Sequence, residues 1–232
     1  DQIEFCNVII LNKIDLVSKE HLGILKSVIE KLNPSAKIIE SHFSKVNPKE
    51  ILNTGLFNFE EAEENAGWIE ELNKEEHTPE TEEYGIGSFV FRSKKPFHPE
   101  RFWNYVQDQF PQNILRSKGL FWIASRPDQA LIWGQAGGSL RSDSAGVWWS
   151  SMPFEKRIQQ GPFVENQTQI ESDWDTIFGD RKNEIVFIGQ NMDEAHIIKE
   201  LNACLLTESE LTTIDLSNCF EDKWPVERSY AL

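Results

Sequence analysis

The sequence predicts an α/β segment followed by an α+β domain with a mainly antiparallel sheet. Three observations support this. A strand, an amphipathic helix and a second strand occupy the first 40 residues, which is the order of a parallel crossover unit. Between Glu60 and Glu83 the chain has eleven Glu and one Lys, which interrupts the apolar pattern. After this run, short strands joined by turn sequences are interspersed with two helices, as in α+β domains.

The first elements follow from apolar periodicity and helix end signals. The apolar run from Phe5 to Leu11 predicts a strand covered on both faces, as in a parallel sheet. Ser18 is the predicted N-cap of the helix, whose apolar residues recur at helical spacing, and Asn33-Pro34 ends it. Ala36 to Glu40 is predicted to be the second strand.

A short helix near Pro48 and a second helix across Phe59 to Leu72 are predicted next. We therefore place the first domain at residues 1–72, an acidic linker at 73–84 and the second domain at 85–232. We interpret the linker as a solvated spacer whose acidic side chains repel one another, in preference to a metal site. Zinc prefers His and Cys ligands, and His77 is the one such residue in the linker.

The second domain shows strand, turn and helix signals in alternation. Pro99 suits the first position of a helix, because its missing N–H has no partner there. Arg126-Pro127-Asp128 is a good turn between two strands. The predicted elements are a strand around Phe89 and Phe91, a helix with Phe102, Val106 and Phe110 on one face, strands at Leu120–Ser125 and Ala130–Gln135, a strand ending at Val147-Trp148-Trp149, a strand at Ile185–Ile188, a helix from about Asp193, and a capping box at Thr207–Glu210.

Composition excludes several classes of protein. A net charge of -15 argues against a nucleic-acid partner, because phosphate binding needs a basic surface. No apolar run reaches membrane-spanning length, so we expect no membrane partner. The three Cys are far apart and form no C-x-x-C pair, which suits a reducing cytoplasm and argues against a disulfide framework.

The tetrapeptide Asn12-Lys13-Ile14-Asp15 directly follows the first predicted strand. In this position, N-K-x-D is the base-reading motif of GTP-binding proteins. The Asp15 carboxylate would accept two hydrogen bonds from the N1 and N2 edge of guanine, which adenine does not offer. Lys13 would cover the purine face, and Asn12 would hold the loop to its neighbours. The alternative interpretation is an ordinary charged turn after a strand.

The chain contains no G-x-x-x-x-G-K-[ST] phosphate loop. A nucleotide-binding α/β domain needs that loop and its first strand before the base-reading loop. We therefore expect this chain to be the later part of a longer protein, with a remnant of a nucleotide-binding domain at its start. We also expect the chain alone not to hydrolyse GTP.

A series of short motifs in the second domain resembles the C-terminal domain of the CobW family of GTPases. The start of the chain, with N-K-I-D, is similar to the same family, and the zinc-allocation subgroup resembles it most. The residues that carry the resemblance are Phe97-His98-Pro99-Glu100-Arg101-Phe102, Lys118 to Pro127, Trp133 to Gly138, Gly179-Asp180-Arg181, Val186 to Gly189 and Ala203 to Thr207.

The resemblance implies the C-terminal part of a GTP-dependent metallochaperone, with zinc as cargo and a metal-requiring protein as client. It implies GTP and Mg²⁺ as cofactors of the full-length protein, and the rest of the GTPase domain as a further partner. Asn12, Lys13 and Asp15 carry over as nucleotide contacts. No catalytic residue and no metal ligand in this chain is assigned. The alternative is a non-enzymatic interaction or regulatory domain of such a GTPase.

Three further groups of residues have structural interpretations that we prefer. His98 is predicted to order the turn before its helix and not to form a ligand pair with Glu100, because residues two apart on a helix do not face the same way. Cys204 falls on the apolar stripe of its helix, as a small buried hydrophobe would. The Trp residues of the strands are predicted to pack in the core or at an interface.

Overall fold

The computed structural model describes residues 2–57, 84–212 and 220–226. The chain divides into an N-terminal unit, Asp1–Phe89 with Ile188–Asn191, and a C-terminal unit, Val90–Phe187 with Met192–Leu232. The helix predicted across Phe59 to Leu72 lies outside the described residues, as does the predicted linker up to residue 83. None of the described helices combines the length and apolar character that a bilayer crossing needs.

The N-terminal unit contains the predicted crossover. Its elements are α1 (Gln2–Phe5), β1 (Val8–Leu11), a 3₁₀ turn (Ile14–Leu16), α2 (Lys19–Leu32), β2 (Lys37–Glu40) and a 3₁₀ turn (Pro48–Glu50). β1 and β2 pair in parallel, from Val8 with Lys37 to Leu11 with Glu40, which confirms the predicted parallel arrangement. Ser18 caps α2 by accepting the His21 backbone N–H, as predicted, and Asn33 is its C-cap.

The N-terminal strand is shorter than predicted. Residues 2–5 form the helical turn α1, and the strand begins only at Val8. The buried Asn33 side chain explains this, because its amide donates to the Ile3 and Cys6 carbonyl oxygens at 2.8 and 2.9 Å. These bonds cap the carbonyl end of α1 against the end of α2.

Most of a five-stranded antiparallel sheet lies in the C-terminal unit. Its strands are β3 (Ile86–Ser93), β4 (Ile114–Phe121), β5 (Gln129–Ala136), β6 (Ser139–Val147) and β7 (Asn183–Gln190), in the order β3-β7-β4-β5-β6. The sequence correctly predicted its class. β4 pairs with β5 and β5 pairs with β6, both antiparallel, which gives two consecutive hairpins that end at the sheet edge.

Helices connect these strands. The described elements are α3 (Pro99–Asn104), a π-helix (Tyr105–Gln109), a 3₁₀ turn (Trp149–Ser151), α4 (Phe154–Arg157), α5 (Gly161–Glu165), α6 (Gln167–Ser172), α7 (Glu194–Cys204) and α8 (Glu208–Leu211). Pro99 occupies the start of α3 as predicted, and the capping box at Thr207–Glu210 is present. His98 is itself the N-cap of α3, since its Nδ1 accepts the Arg101 N–H.

The core of the C-terminal unit is aromatic. Phe102 of α3 stacks on Phe97 with ring centroids 3.9 Å apart and contacts Phe121 and Trp133 of the sheet. Trp122, Trp133 and Trp148 are buried, and so is Cys204, which confirms the packing roles predicted for them. Burial raises the pKa of the Cys204 thiol to about 11, so it stays protonated at neutral pH.

Three sequence predictions in this unit were wrong in detail, one of which is the strand predicted to end at Val147-Trp148-Trp149, which ends at Val147. The strand predicted at Leu120–Ser125 overlaps β4, which ends at Phe121; the buried Ile123 forms an isolated bridge with Phe97, and a turn begins at Ala124. The helix predicted through Phe110 changes to a π-helix after Asn104.

One ion pair in this unit predicts a pH dependence. Arg101 donates two hydrogen bonds of 2.8 Å to the Glu210 carboxylate, and this pairing lowers the Glu210 pKa to about 2. A depressed pKa contributes stability above the unfolded pKa of about 4.3, and that stability is lost as pH falls towards 2.

Glu210→Gln should therefore be less stable than the parent chain at pH 7, by about 1 kcal/mol for a partly exposed pair. The difference between the two proteins should shrink between pH 4.3 and 2. Urea denaturation at pH 7, 4 and 3 measures this difference. A pH-independent difference would show that the carboxylate charge of Glu210 is not what stabilises the native state.

Candidate functional site

The loops after β1 and β2 lie side by side. Parallel strands present their carboxyl ends at the same edge, and that edge is where α/β proteins bind ligands. The Ser41 N–H donates to the Leu11 carbonyl at 2.8 Å, and the Ile14 N–H donates to the Ser41 carbonyl at 3.3 Å. Ser41 is buried between the two loops. The Asn12–Asp15 motif is therefore held against the chain that follows β2.

The Asn12 side chain joins its loop to the loop after β2. Its Oδ1 accepts the Ser44 backbone N–H at 2.9 Å, and its Nδ2 donates to the Ser44 hydroxyl at 3.0 Å. Ser44 thus pairs with both the donor and the acceptor of the Asn12 side-chain amide. This fixes the distance between the two loops.

Lys13 and Asp15 lie at the surface of this edge. Lys13 has a left-handed backbone with φ 62°, which ends the strand abruptly and starts the 3₁₀ turn that holds Asp15. The Asp15 side chain is exposed and makes no hydrogen bond or ion pair with any residue that the structure describes. The three predicted contact residues are therefore clustered on one short loop.

Sequence reasoning missed Ser44, the partner of Asn12. The two residues are 32 positions apart, and no local pattern connects them. The signal that was available is the pairing of two parallel strands, which places the residues after both strands at one edge.

Metal ligands are not gathered in the described part of the chain. Among residues 2–57, 84–212 and 220–226, no group of three or more His, Cys, Asp or Glu side chains is placed to hold a metal ion. The Cys6 thiol, half-buried, donates to the Ile3 carbonyl at 3.4 Å.

The decisive comparison is with protein families. Residues 86–205 match the cobalamin synthesis protein cobW C-terminal domain, and these residues are more than half of the chain. The chain belongs to the CobW family. Residues 1–40 match the CobW/HypB/UreG nucleotide-binding domain, so the loop that carries Asn12 to Asp15 falls within that match.

Individual relatives of this CobW chain are named for zinc. It is 44% identical over 214 residues to the zinc-regulated GTPase metalloprotein activator 1 of Dictyostelium discoideum. This alignment covers 91% of the chain and 44% of the relative. It is 33% identical over 125 residues to a zinc chaperone of Mycobacterium tuberculosis. This alignment covers 53% of the chain and 30% of the relative. The chain thus spans less than half the length of these curated relatives.

A solved structure, Zn(II)-bound YjiA GTPase from E. coli, is also similar to the CobW chain. The sequence identity is 17% and the TM-score is 0.43. The match covers 88% of the chain and 54% of the YjiA chain.

The Gly179-Asp180-Arg181 motif of the CobW domain has a structural role. The Asp180 carboxylate accepts the backbone N–H groups of Trp149 and Ser150, each at 2.8 Å. Gly179 has φ 68°, and a Cβ atom there would lie 2.3 Å from the Ser150 Cβ. Because both the backbone angle and the space require glycine, this motif closes the turn against residues 149–150.

Arg181 connects this turn to the sheet. Its guanidinium donates to the Pro127 carbonyl at 2.6 Å and to the Ser151 hydroxyl at 3.0 Å, and it lies over the Trp122 ring. Burial lowers the pKa of Arg181, while the carboxylates of Asp128 and Asp180 favour its charged form.

The Trp133 to Gly138 motif of the CobW domain is also explained by packing. The Gln135 amide accepts the Ser117 hydroxyl at 3.0 Å and donates to the Gly137 carbonyl at 2.6 Å. The Trp133 indole donates to the Ser117 hydroxyl at 2.7 Å. These buried polar groups satisfy one another, so the motif fixes the β5–β6 turn.

Proposed function

We propose that this chain is the C-terminal part of a GTP-dependent metallochaperone that carries zinc to metal-requiring client proteins. In this proposal, residues 1–72 are the end of the GTPase domain, 73–84 are an acidic linker and 85–232 are the CobW-type domain. The observation that carries it is the N-K-I-D loop at the carboxyl edge of β1 and β2, held by the Asn12–Ser44 contact. The zinc-related names of the relatives support the choice of cargo.

The residues of the loop fit guanine. The exposed Asp15 carboxylate is available to accept two N–H groups from the base edge, and hydrogen bonds to a charged acceptor contribute about 1.5–3 kcal/mol each. Lys13 is placed two residues before it to lie over the base. Asn12 belongs to the same proposed nucleotide-binding set and also positions the loop through its contact with Ser44. Phosphate binding and Mg²⁺ coordination, which GTP hydrolysis requires, are assigned to the rest of the GTPase domain.

Asp15→Ala in the full-length protein is expected to weaken GDP binding about 100-fold, or about 2.7 kcal/mol, because both base-edge hydrogen bonds are lost. Titration with a fluorescent guanine nucleotide measures this. Glu20→Ala is the matched control, because Glu20 is an exposed acid of the same unit on α2. Zinc transfer to a chromophoric chelator should depend on GTP in the parent protein and lose that dependence in the Asp15→Ala variant.

A second variant distinguishes the loss of the hydrogen bonds to the base from a loss of folding. Asn at position 15 would present one acceptor and one donor, which match the N1–H and C2 carbonyl of xanthine. Asp15→Asn should therefore bind xanthosine diphosphate better than GDP. GDP binding that is unchanged in Asp15→Ala would contradict the proposed function.

A further inference from the structure

The loop after β2 is joined to the base-reading loop through the Ser41 backbone and through the Asn12–Ser44 contact. Both Asn12 hydrogen bonds go to Ser44, so the residue before Ser44 is held within about one residue's reach of the motif. That residue is Phe43. The Ser41 hydroxyl donates to the Lys45 carbonyl at 3.3 Å, which closes the loop into a tight turn around Phe43 and Ser44.

Phe43 is unusual in two respects. Its side chain is 79% exposed, although burying a phenyl ring is strongly favourable in water. Its backbone has φ 50°, in the left-handed region that bulky residues rarely adopt, and Ser44 follows with φ 55°. Such backbone conformations cluster at ligand-binding sites, where the surrounding structure holds them. An aromatic ring is thus displayed at the edge where the Asn12–Asp15 loop ends.

We infer that Phe43 stacks on the face of the nucleotide base opposite the face that Lys13 covers. The inference rests on the proposed guanine site, and it adds a specific residue that contributes affinity. A purine has two faces of equal area, and the alkyl stem of Lys13 covers one. The exposed phenyl ring on the neighbouring loop supplies a flat apolar surface for the other.

The two contacts have different chemical consequences. Aromatic stacking is tolerant of the base, because every purine has a π-face. The Asp15 carboxylate is selective, because it reads the N1 and N2 edge. Phe43 should therefore set how tightly any purine nucleotide binds, while Asp15 sets which purine is preferred.

Phe43→Ala in the full-length protein is expected to weaken binding of GDP about tenfold, or about 1.4 kcal/mol. Binding of inosine diphosphate, which lacks the 2-amino group, should weaken by the same factor. Phe43→Trp should restore parent-like affinity, and Phe43→Leu, which is apolar but has no π-face, should not. Because Phe43 is exposed, these changes leave the folded core intact, and thermal unfolding of each variant checks this.

Phe57→Ala is the matched control, since Phe57 is an exposed phenylalanine of the same unit. The Asn7 amide donates to the Leu56 carbonyl, which places Phe57 near the start of β1, about 13 Å of strand away from Asn12. Asp15→Ala with weakened GDP binding and Phe43→Ala with parent-like binding would overturn the inference and leave the proposed site standing. Parent-like GDP binding in both variants would overturn the proposed function as well.

Discussion

Replacing Arg126 with Met is expected to destabilise the C-terminal unit by about 3–5 kcal/mol. Arg126 and Asp222 form an ion pair whose side chains are only 5% and 3% exposed. The guanidinium donates to both carboxylate oxygens, at 2.6 and 3.0 Å, and the Ser125 hydroxyl adds a third donor. Burial acts to raise the Asp222 pKa, but these hydrogen bonds lower it overall, so the carboxylate is charged at neutral pH.

The expected loss of stability arises from Asp222, the partner that remains after Arg126 is replaced. With Met at position 126, the Asp222 carboxylate stays buried without its counter-charge, which costs several kcal/mol. The Trp224 carbonyl also loses the donor that Arg126 supplies at 2.8 Å. Urea denaturation followed by tryptophan fluorescence suits the measurement, because every Trp except Trp68 lies in the C-terminal unit.

Two further variants test this explanation. Arg141→Met is the matched control, because the Arg141 side chain is 81% exposed and pairs with an exposed Asp143, so its loss should change stability by less than about 0.5 kcal/mol. In the double variant Arg126→Met/Asp222→Leu no buried charge is left, and much of the stability should return. A loss below about 1 kcal/mol in Arg126→Met would show that Asp222 is reached by water.

The sequence predicted what depends on local patterns and missed what depends on long-range contacts. The Ser18 cap, the Pro99 helix start and the capping box at Thr207–Glu210 were read correctly, because each is determined within a few residues. The Asn12–Ser44 contact joins residues that no local pattern connects.

β4 shows why apolar pattern alone misplaces a strand. Its inward-facing residues include Ser117 and Gly119, which are buried but not apolar. Ser117 is satisfied by hydrogen bonds, and Gly119 approaches the β7 backbone so closely that a Cβ atom would lie 2.0 Å from the Glu184 carbonyl oxygen. The apolar run after β4 is buried outside the strand, and Ile123 forms only an isolated bridge with Phe97. At this point the residues of the chain remain buried although they no longer belong to a strand.

The second large effect is expected for Trp224, which lies beyond the match to the CobW C-terminal domain at residues 86–205. Trp224 is 3% exposed and packs on Phe102 and Phe121, with ring centroids 5.2 and 5.0 Å away. Its indole N–H donates to the Pro99 carbonyl at the start of α3. The segment 220–226 therefore completes the same aromatic core that α3 and the sheet begin.

Trp224→Ala should cost about 3–5 kcal/mol, since it leaves a large cavity in that core and removes the partner of the Pro99 carbonyl. Phe154→Ala is the control, because the Phe154 side chain is 48% exposed. The effects of Trp224→Ala and Arg126→Met should be less than additive, because either change releases the one segment that both residues hold. Full additivity in urea denaturation would mean that 220–226 is held at two independent points, and that the core of this domain does not depend on the segment as one unit.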